Sequence, residues 1–357
     1  MEWSQEPAPV ALRARGDVFR MASGFMAAQV AGSAARLRVM DRIGDGERTA
    51  EALAAECGTD AQAMLRLLRA MAALGLLAEN APGRFSPTVA GSLLRTDLPG
   101  SVHAFVLMLT DPALTRAWEH LEVSIRTGRT AFDGVFGTDF FSYLGEDAEL
   151  SARFNTAMSD TTRATAAALP EYCDFGRFRT VVDVGGGDGT LLAQVLSAHP
   201  ALRGIVFDTH EGLAQTEETL RRAGVGERCS LASGDFFAAV PGGGDLYLLK
   251  SVLHDWDDER AVTILGNCRR VIPGHGRLLI IEPVLPATVD ASVPAILYLN
   301  DLNMLVNLGG RERTRAEFAA LCERAGFTLA SVTPLWPPHE FSLIEAVPAP
   351  PGDGAAR

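Results

Sequence analysis

The sequence predicts an α/β fold: a mostly parallel, Rossmann-like sheet preceded by an α-helical, winged-helix-like domain. Three observations predict it. After Phe178, short β-rich runs (TVVDVG, GIVFD, CSLASGD, DLYLLKSV, RLLIIEPV) alternate with helical segments, and alternating βα units build a parallel sheet with helices on both faces. Ahead of them come three helical segments and a hairpin signal, the order of a winged helix. Between the two regions, the apolar run TVVDV enters the glycine-rich turn GGGDG and then a helix at Thr190.

A chain of 357 residues is long enough for two domains. Residues 1–15 and 348–357 are polar or Pro/Gly/Ala-rich and are expected to be disordered ends. A dimerisation domain is expected over 16–100, substrate-covering helices over 101–170 and a catalytic domain over 171–347. Within the first domain, Thr49 is placed to cap the helix TAEALAAEC and Asp60 to cap the next. Met64, Leu67, Leu68, Met71 and Leu74 follow at i, i+3, i+4 spacing and form an apolar face. GLLAENAPGRFSPT reads as a hairpin around an Asn/Pro/Gly turn. Pro170 ends the last covering helix, and FTLASV with FSLIEAV reads as a closing antiparallel pair.

Composition narrows the partners. Formal net charge is −12, which disfavours phosphate backbones and anionic lipid surfaces. A winged helix suggests DNA binding, but the second helix carries only Arg66 and Arg69 as positive charge, with no basic stripe. A dimerisation module fits better, with the apolar segment FMAAQVAGSAA (residues 25–35) as a subunit interface and a homodimer as the assembly. Five dispersed cysteines form neither a CxxC nor a Cys/His cluster, so buried thiols are expected and no metal. With no signal peptide and no apolar span, the expected location is cytoplasmic.

The strongest chemical motif is Val181-Val182-Asp183-Val184-Gly185-Gly186-Gly187-Asp188-Gly189-Thr190. Glycines there let the backbone turn tightly and let a ligand touch it. The spacing fits neither G-x-G-x-x-G nor a P-loop. An acid two residues before G-x-G-x-G resembles motif I of class I methyltransferases. Asp208 ends the second strand, where a carboxylate can accept two ribose hydroxyls. Gly234, Asp235 and Phe236 follow the third strand, where an acid beside an aromatic suits an adenine. At the end of the fourth comes Leu249-Lys250-Ser251-Val252-Leu253-His254-Asp255-Trp256, carrying the chain's single lysine. A lone histidine is usually structural, but this one follows a strand at the edge where open α/β sheets bind ligands.

K-x-x-L-H-D-W, with LLIIEPVLP and GGRERT, resembles the small-molecule O-methyltransferases of plants and bacteria over residues 18–346. The resemblance implies S-adenosylmethionine as methyl donor, S-adenosylhomocysteine as product and a phenolic hydroxyl of a small aromatic as acceptor. It implies His254 as general base, oriented by Glu282 and Glu312. Asp183, Gly185, Gly187, Asp208, Gly234, Asp235, Phe236, Lys250 and Ser251 are implied to line the cofactor. Met108, Phe154, Met158, Asp255, Met304 and Asn307 are implied to line the substrate. The segment before Gly309 is one residue shorter than in the plant enzymes, and Asp208-Thr209-His210 departs from their Asp-Leu-Pro. The acidic run Asp255, Asp257, Asp258, Glu259 reads as a solvated helix start rather than a metal site. Two alternatives stand beside this reading: a relative turned to decarboxylation or hydroxylation, and a non-catalytic winged-helix regulator that senses a small molecule.

Overall fold

The computed structural model describes residues 8–290, 293–335 and 341–350. Its contacts divide the chain into two units, with the boundary between Pro112 and Ala113.

The first unit contains helices α1 (Ala8–Ala22), α2 (Gly24–Arg36), α3 (Val39–Ile43), α4 (Ala50–Cys57) and α5 (Ala61–Ala73), with the short α6 (Val89–Ser92) and α7 (His103–Leu109) after them. Strands β1 (Arg48–Thr49), β2 (Leu77–Ala81) and β3 (Arg84–Pro87) form an antiparallel sheet in the order β1-β3-β2. Both expected caps are present: Thr49 accepts from the Ala52 N–H at 3.2 Å and Asp60 from the Ala63 N–H at 2.8 Å. Met64, Leu68 and Met71 pack with Met40, Leu53 and Phe85 in one core. The structure differs from the sequence reading at the start. Residues 8–15, expected to be disordered, form the first half of α1, while residues 1–7 lie outside the described residues. Helix formers such as Ala, Leu and Arg outweigh the polar composition there. The apolar segment 25–35 is also divided in role. Ala34 and Ala35 are buried within the unit, whereas Phe25 and Met26 are exposed together with Val18, Phe19 and Met21 of α1.

The second unit opens one residue into α8 (Pro112–Trp118), followed by α9 (Leu121–Thr127), α10 (Ala131–Phe136), α11 (Phe140–Glu146) and the long α12 (Ala148–Ala168). There follow β4 (Thr180–Val184), α13 (Thr190–Ala198), β5 (Arg203–Asp208), α14 (Thr216–Arg222), β6 (Cys229–Ser233), β7 (Leu246–Lys250), α15 (Asp258–Val271), β8 (Arg277–Leu285), α16 (Ala295–Asn307), β9 (Arg313–Thr314), α17 (Arg315–Arg324), β10 (Phe327–Pro334) and β11 (Phe341–Pro348). The strand order is β10-β11-β8-β7-β4-β5-β6, parallel from β8 to β6, with β11 antiparallel to β8 and to β10. Strand β11 includes Pro348, the first residue of the expected tail; the Pro-rich segment 336–340 and residues 351–357 lie outside the described residues. Alternate residues of β4 face opposite ways. Val182 and Val184 join a core with Tyr247, Leu249, Ile264 and Phe318, and Val181 joins another with Leu192, Val206 and Leu248. Burial on both faces explains why these strands read as unbroken apolar runs. It also leaves their carboxyl ends as the edge where polar side chains can meet a ligand. The five cysteines are free; Cys173, Cys268 and Cys322 are buried, Cys57 and Cys229 partly so.

Candidate active site

The first half of the site is made of turns. Gly185, Gly187 and Gly189 all have positive φ, of 71°, 54° and 76°. A Cβ on Gly185 would lie 2.8 Å from the Val252 side chain, so this turn has room only for glycine. Asp208, at the end of β5, accepts from the Gly187 N–H at 2.8 Å and from the Thr209 N–H at 2.7 Å. Burial raises its carboxyl above the ordinary range, and those two N–H groups pull it back. The unusual Thr209 therefore contributes a backbone contact to the aspartate, which stays at the sheet edge. Gly234 and Asp235 are exposed beyond β6, and Asp235 accepts from the Phe237 N–H at 2.8 Å. The Phe236 ring lies 4.8 Å from Phe237 and 6.1 Å from Trp256.

Beneath this turn lies buried charge. Asp183 is 1% exposed; burial, reinforced by Asp208, pushes its carboxyl up to about 7. Its Oδ2 has no hydrogen-bond partner among the described residues. Lys250 is lowered by burial to about 8, against the pull of Glu282, Asp183 and Asp255. Its ammonium donates to Ser251 Oγ at 3.1 Å and sits 4.9 Å from the Phe341 ring. The glycine turn, an acid at the end of β5 and a second acid beside an aromatic beyond β6 fit a nucleoside, and the buried pair of opposite charges fits an amino-acid moiety. S-adenosylmethionine combines the two.

The second half is assembled from three distant segments. His254 Nδ1 lies 3.0 Å from Glu312 Oε1 and 3.5 Å from Glu282 Oε2, and Nε2 lies 3.5 Å from Asp255 Oδ1. A carboxylate only accepts, so Nδ1 carries a proton directed at Glu312. Burial alone would lower the imidazole, but Glu282, Glu312 and Asp255 outweigh it and hold the ring at about 10. Burial pushes Asp255 up to about 7 against the pull of His254. Glu282 does more than face the ring: its Oε1 accepts from the Val252 and Leu253 N–H groups at 2.8 and 2.9 Å. His254, Glu282 and Glu312 offer three donor atoms within 4.8 Å of one another, the one such group among the described residues. One oxygen of each glutamate is engaged, Glu312 Oε1 with the imidazole and Glu282 Oε1 with the backbone of the turn, while both Oε2 atoms are buried without a hydrogen-bond partner among the described residues.

One sequence reading changes here. Asp255 is not part of a solvated helix start, because its side chain is 16% exposed and faces the imidazole. The helix start falls to Asp257, which caps α15 by accepting from the Arg260 N–H at 2.8 Å. Other predicted residues are placed more loosely. Phe154 stacks edge-on to Phe140 at 5.5 Å on α12, and Met158 is half-buried on the same helix. Met304 and Asn307 are buried on α16; Asn307 donates to Asn303 Oδ1 at 2.9 Å, and Asn303 also accepts from the Trp118 indole. Met108 is buried on α7, in the first unit. Sequence reasoning passed over Arg313, a fully buried arginine directly after Glu312, and Trp256, whose ring stacks on Phe141 at 5.6 Å. Trp256 lay in K-x-x-L-H-D-W and Arg313 in GGRERT, but nothing in the motif marked the arginine for burial, since charged residues are seldom fully buried.

A parallel sheet with a glycine turn and two acids at its strand ends, facing a histidine held by buried glutamates, defines an S-adenosylmethionine-dependent methyltransferase. An O-methyltransferase domain family matches residues 118–328, and an O-methyltransferase dimerisation domain matches residues 19–97. The chain is 52% identical to an O-demethylpuromycin-O-methyltransferase of Streptomyces alboniger over 91% of its length and 87% of that enzyme. It is 40% identical to a phenazine O-methyltransferase of Lysobacter antibioticus over 93% of its length and 95% of the relative. Among solved structures it resembles a mitomycin 7-O-methyltransferase, with a TM-score of 0.88 at 34% identity, covering 96% of this chain and 100% of that one. An O-methyltransferase of neocarzinostatin biosynthesis, solved with S-adenosylmethionine and 2-hydroxy-5-methyl naphthoic acid, matches with a TM-score of 0.75 at 34% identity, over 90% of this chain and 96% of that one. The chain belongs to the O-methyltransferase family, and its cofactor is S-adenosylmethionine.

Proposed function

We propose that this enzyme methylates a phenolic hydroxyl on a small aromatic secondary metabolite, with His254 as general base. The observation that carries the reading is the ring held by Glu312 at 3.0 Å through Nδ1, which leaves Nε2 as the nitrogen for a substrate proton. The relatives support it: the names of the puromycin and phenazine enzymes, and the naphthoic acid bound in the neocarzinostatin enzyme, concern aromatic or aromatic-bearing acceptors.

When bound, S-adenosylmethionine supplies an electrophilic methyl group on a sulfonium. The chain's own residues do the rest. Asp208 and Asp235 hold the ribose and adenine, Gly185 and Gly187 let the backbone approach, Gly234 and Phe236 border the adenine, and Asp183, Lys250 and Ser251 hold the amino-acid end. Phe154, Met158, Asp255, Met304 and Asn307 form the acceptor's surroundings. A phenol near ~10 is mostly protonated at neutral pH. His254 takes that proton at Nε2 in the fraction of enzyme whose imidazole is neutral, and because Glu282, Glu312 and Asp255 raise the ring to about 10, that fraction grows as pH rises. Glu312 and Glu282 stabilise the imidazolium that results.

The exposed apolar residues Val18, Phe19, Met21, Phe25 and Met26 lie in or beside the matched dimerisation domain, which supports a homodimer assembled through the first unit. Sedimentation of the full chain tests this, with a dimer expected and a monomer at micromolar concentration contradicting it.

The test of function is a screen of phenols, naphthols and hydroxynaphthoates with S-adenosylmethionine, read by methyl ether formed and S-adenosylhomocysteine released. Transfer to a hydroxyl, lost in the matched acceptor lacking that hydroxyl, is expected. Transfer to carbon or nitrogen only would overturn the phenol assignment.

A further inference from the structure

The turn that carries His254 is strained at its entrance. Ser251 has φ 53°, one of only two non-glycine residues with positive φ among those described, and such backbone persists only where its surroundings over-determine it. Here three N–H groups and three carbonyls of the turn are held from outside. The Ser251 N–H donates to the Ile281 carbonyl at 3.1 Å, and the Val252 and Leu253 N–H groups donate to Glu282. The carbonyls are held from the opposite side by residues 311–313. The Arg311 N–H donates to the His254 carbonyl at 2.9 Å. Arg313, fully buried, donates from Nη1 to the Leu253 carbonyl and from Nη2 to the Trp256 carbonyl, both at 2.8 Å, and from Nε to Asp258 Oδ1 at 2.9 Å. Gly310 allows the approach, because a Cβ there would lie 2.0 Å from the His254 carbonyl oxygen.

We infer that Arg313 is a positioning residue for methyl transfer: its guanidinium clamps the turn on both sides of His254 and so fixes the imidazole against Glu312. The geometry gives the reason for arginine in particular. One planar fork reaches two carbonyls that flank the base, and its third arm reaches a carboxylate on α15 that balances its charge. Glu312 is its immediate neighbour, so a single two-residue segment supplies both the group that orients the ring and the group that anchors the ring's backbone. A lysine keeps the charge but reaches one carbonyl at a time. The turn then relaxes from its strained form, and His254 moves away from Glu312 and Glu282.

This inference rests on His254 being the base of the proposed reaction, and its test needs no methyl acceptor. The full chain is labelled with 13C-histidine, the His254 signal is assigned by its loss in His254→Gln, and its midpoint is measured with S-adenosylhomocysteine present. Arg313→Lys holds the charge constant, so a change in midpoint reports geometry. The midpoint is expected to fall by at least about one pH unit as the carboxylates withdraw from the ring, while S-adenosylhomocysteine affinity stays within about threefold. If Arg313→Lys does not fold, Asp258→Ala serves in its place; it frees one arm of the clamp at the protein's edge and is expected to shift the midpoint the same way by less. An unchanged midpoint in the variant that folds and binds the cofactor product overturns the inference. Failure of the wild type to bind S-adenosylhomocysteine would sink the methyltransferase reading separately, whatever His254 does.

Discussion

At the ends of β4 and β5 the site is made mostly of backbone; beyond β7 it is made of buried charge. In the first region three glycines with positive φ and two N–H groups on Asp208 define the shape, above the buried Asp183. In the second, Glu282 is 0% and Glu312 2% exposed, and both press on one imidazole. A backbone cradle recognises a cofactor that every turnover shares. In the proposed reaction a buried acid–base cluster tunes one proton for the acceptor, where water cannot screen it. The two regions should therefore fail in different ways.

The largest separation comes from His254→Ala. Loss of a general base costs about 10²–10⁴-fold in turnover, with calorimetric affinity for S-adenosylhomocysteine held within about threefold. Asp208→Ala does the reverse. It removes the proposed ribose acceptor and should weaken cofactor product binding by about 10–100-fold, the loss of one or two charge-assisted hydrogen bonds. The pH dependence of the remaining activity should not move.

Glu312→Gln sharpens the comparison through pH. With His254 at about 10, the reactive pair of imidazole and phenol shares one proton, so kcat/KM rises as pH climbs from 6 toward 10. Removing the Glu312 charge takes away a group that raises the imidazole value. The rising limb then shifts to lower pH, and the maximal rate falls by roughly tenfold as the ring loses its orienting partner. A limb that stays in place would mean that another group titrates.

The smallest effect is on stability. Asp183 is raised from 3.8 to about 7, so its folded form holds a proton more tightly than the unfolded form. Stability from this group is greatest below pH 3.8 and is lost as pH rises through 7. Asp183→Asn should therefore stabilise the protein at pH 8 by about 1–3 kcal/mol, partly offset by the loss of a partner for Lys250, and should do nothing at pH 4. Melting curves at both pH values check this. A uniform destabilisation would show that the charge is needed for folding.

Much of the cradle was legible because glycine spacing and strand-end acids are local. G-x-G-x-G, Asp208 and the Asp235-Phe236 pair each lie within a few residues of the strand that positions them. The βα order was legible for a related reason: strands buried on both faces read as plain apolar runs. His254 was legible from its place after a strand, but Glu282 and Glu312 only through resemblance, since 28 residues separate His254 from Glu282 and 30 more separate Glu282 from Glu312. The burial and contacts of Arg313, although it stood in GGRERT, and the bonds of Glu282 to the turn were not legible. Nothing in a sequence tells which arginine will be fully buried or which backbone carbonyls it will hold. The same holds for Asp255, where sequence position suggested a solvated helix start and packing against His254 decided otherwise.

The most direct test of the account is calorimetric titration of S-adenosylhomocysteine into the wild type, His254→Ala and Asp208→Ala side by side. Micromolar binding is predicted for the wild type and for His254→Ala, with strong weakening in Asp208→Ala alone. Equal losses in both variants would contradict the division of the site into a cofactor cradle and a separate acid–base cluster, and no binding to folded wild-type protein would contradict the methyltransferase assignment itself.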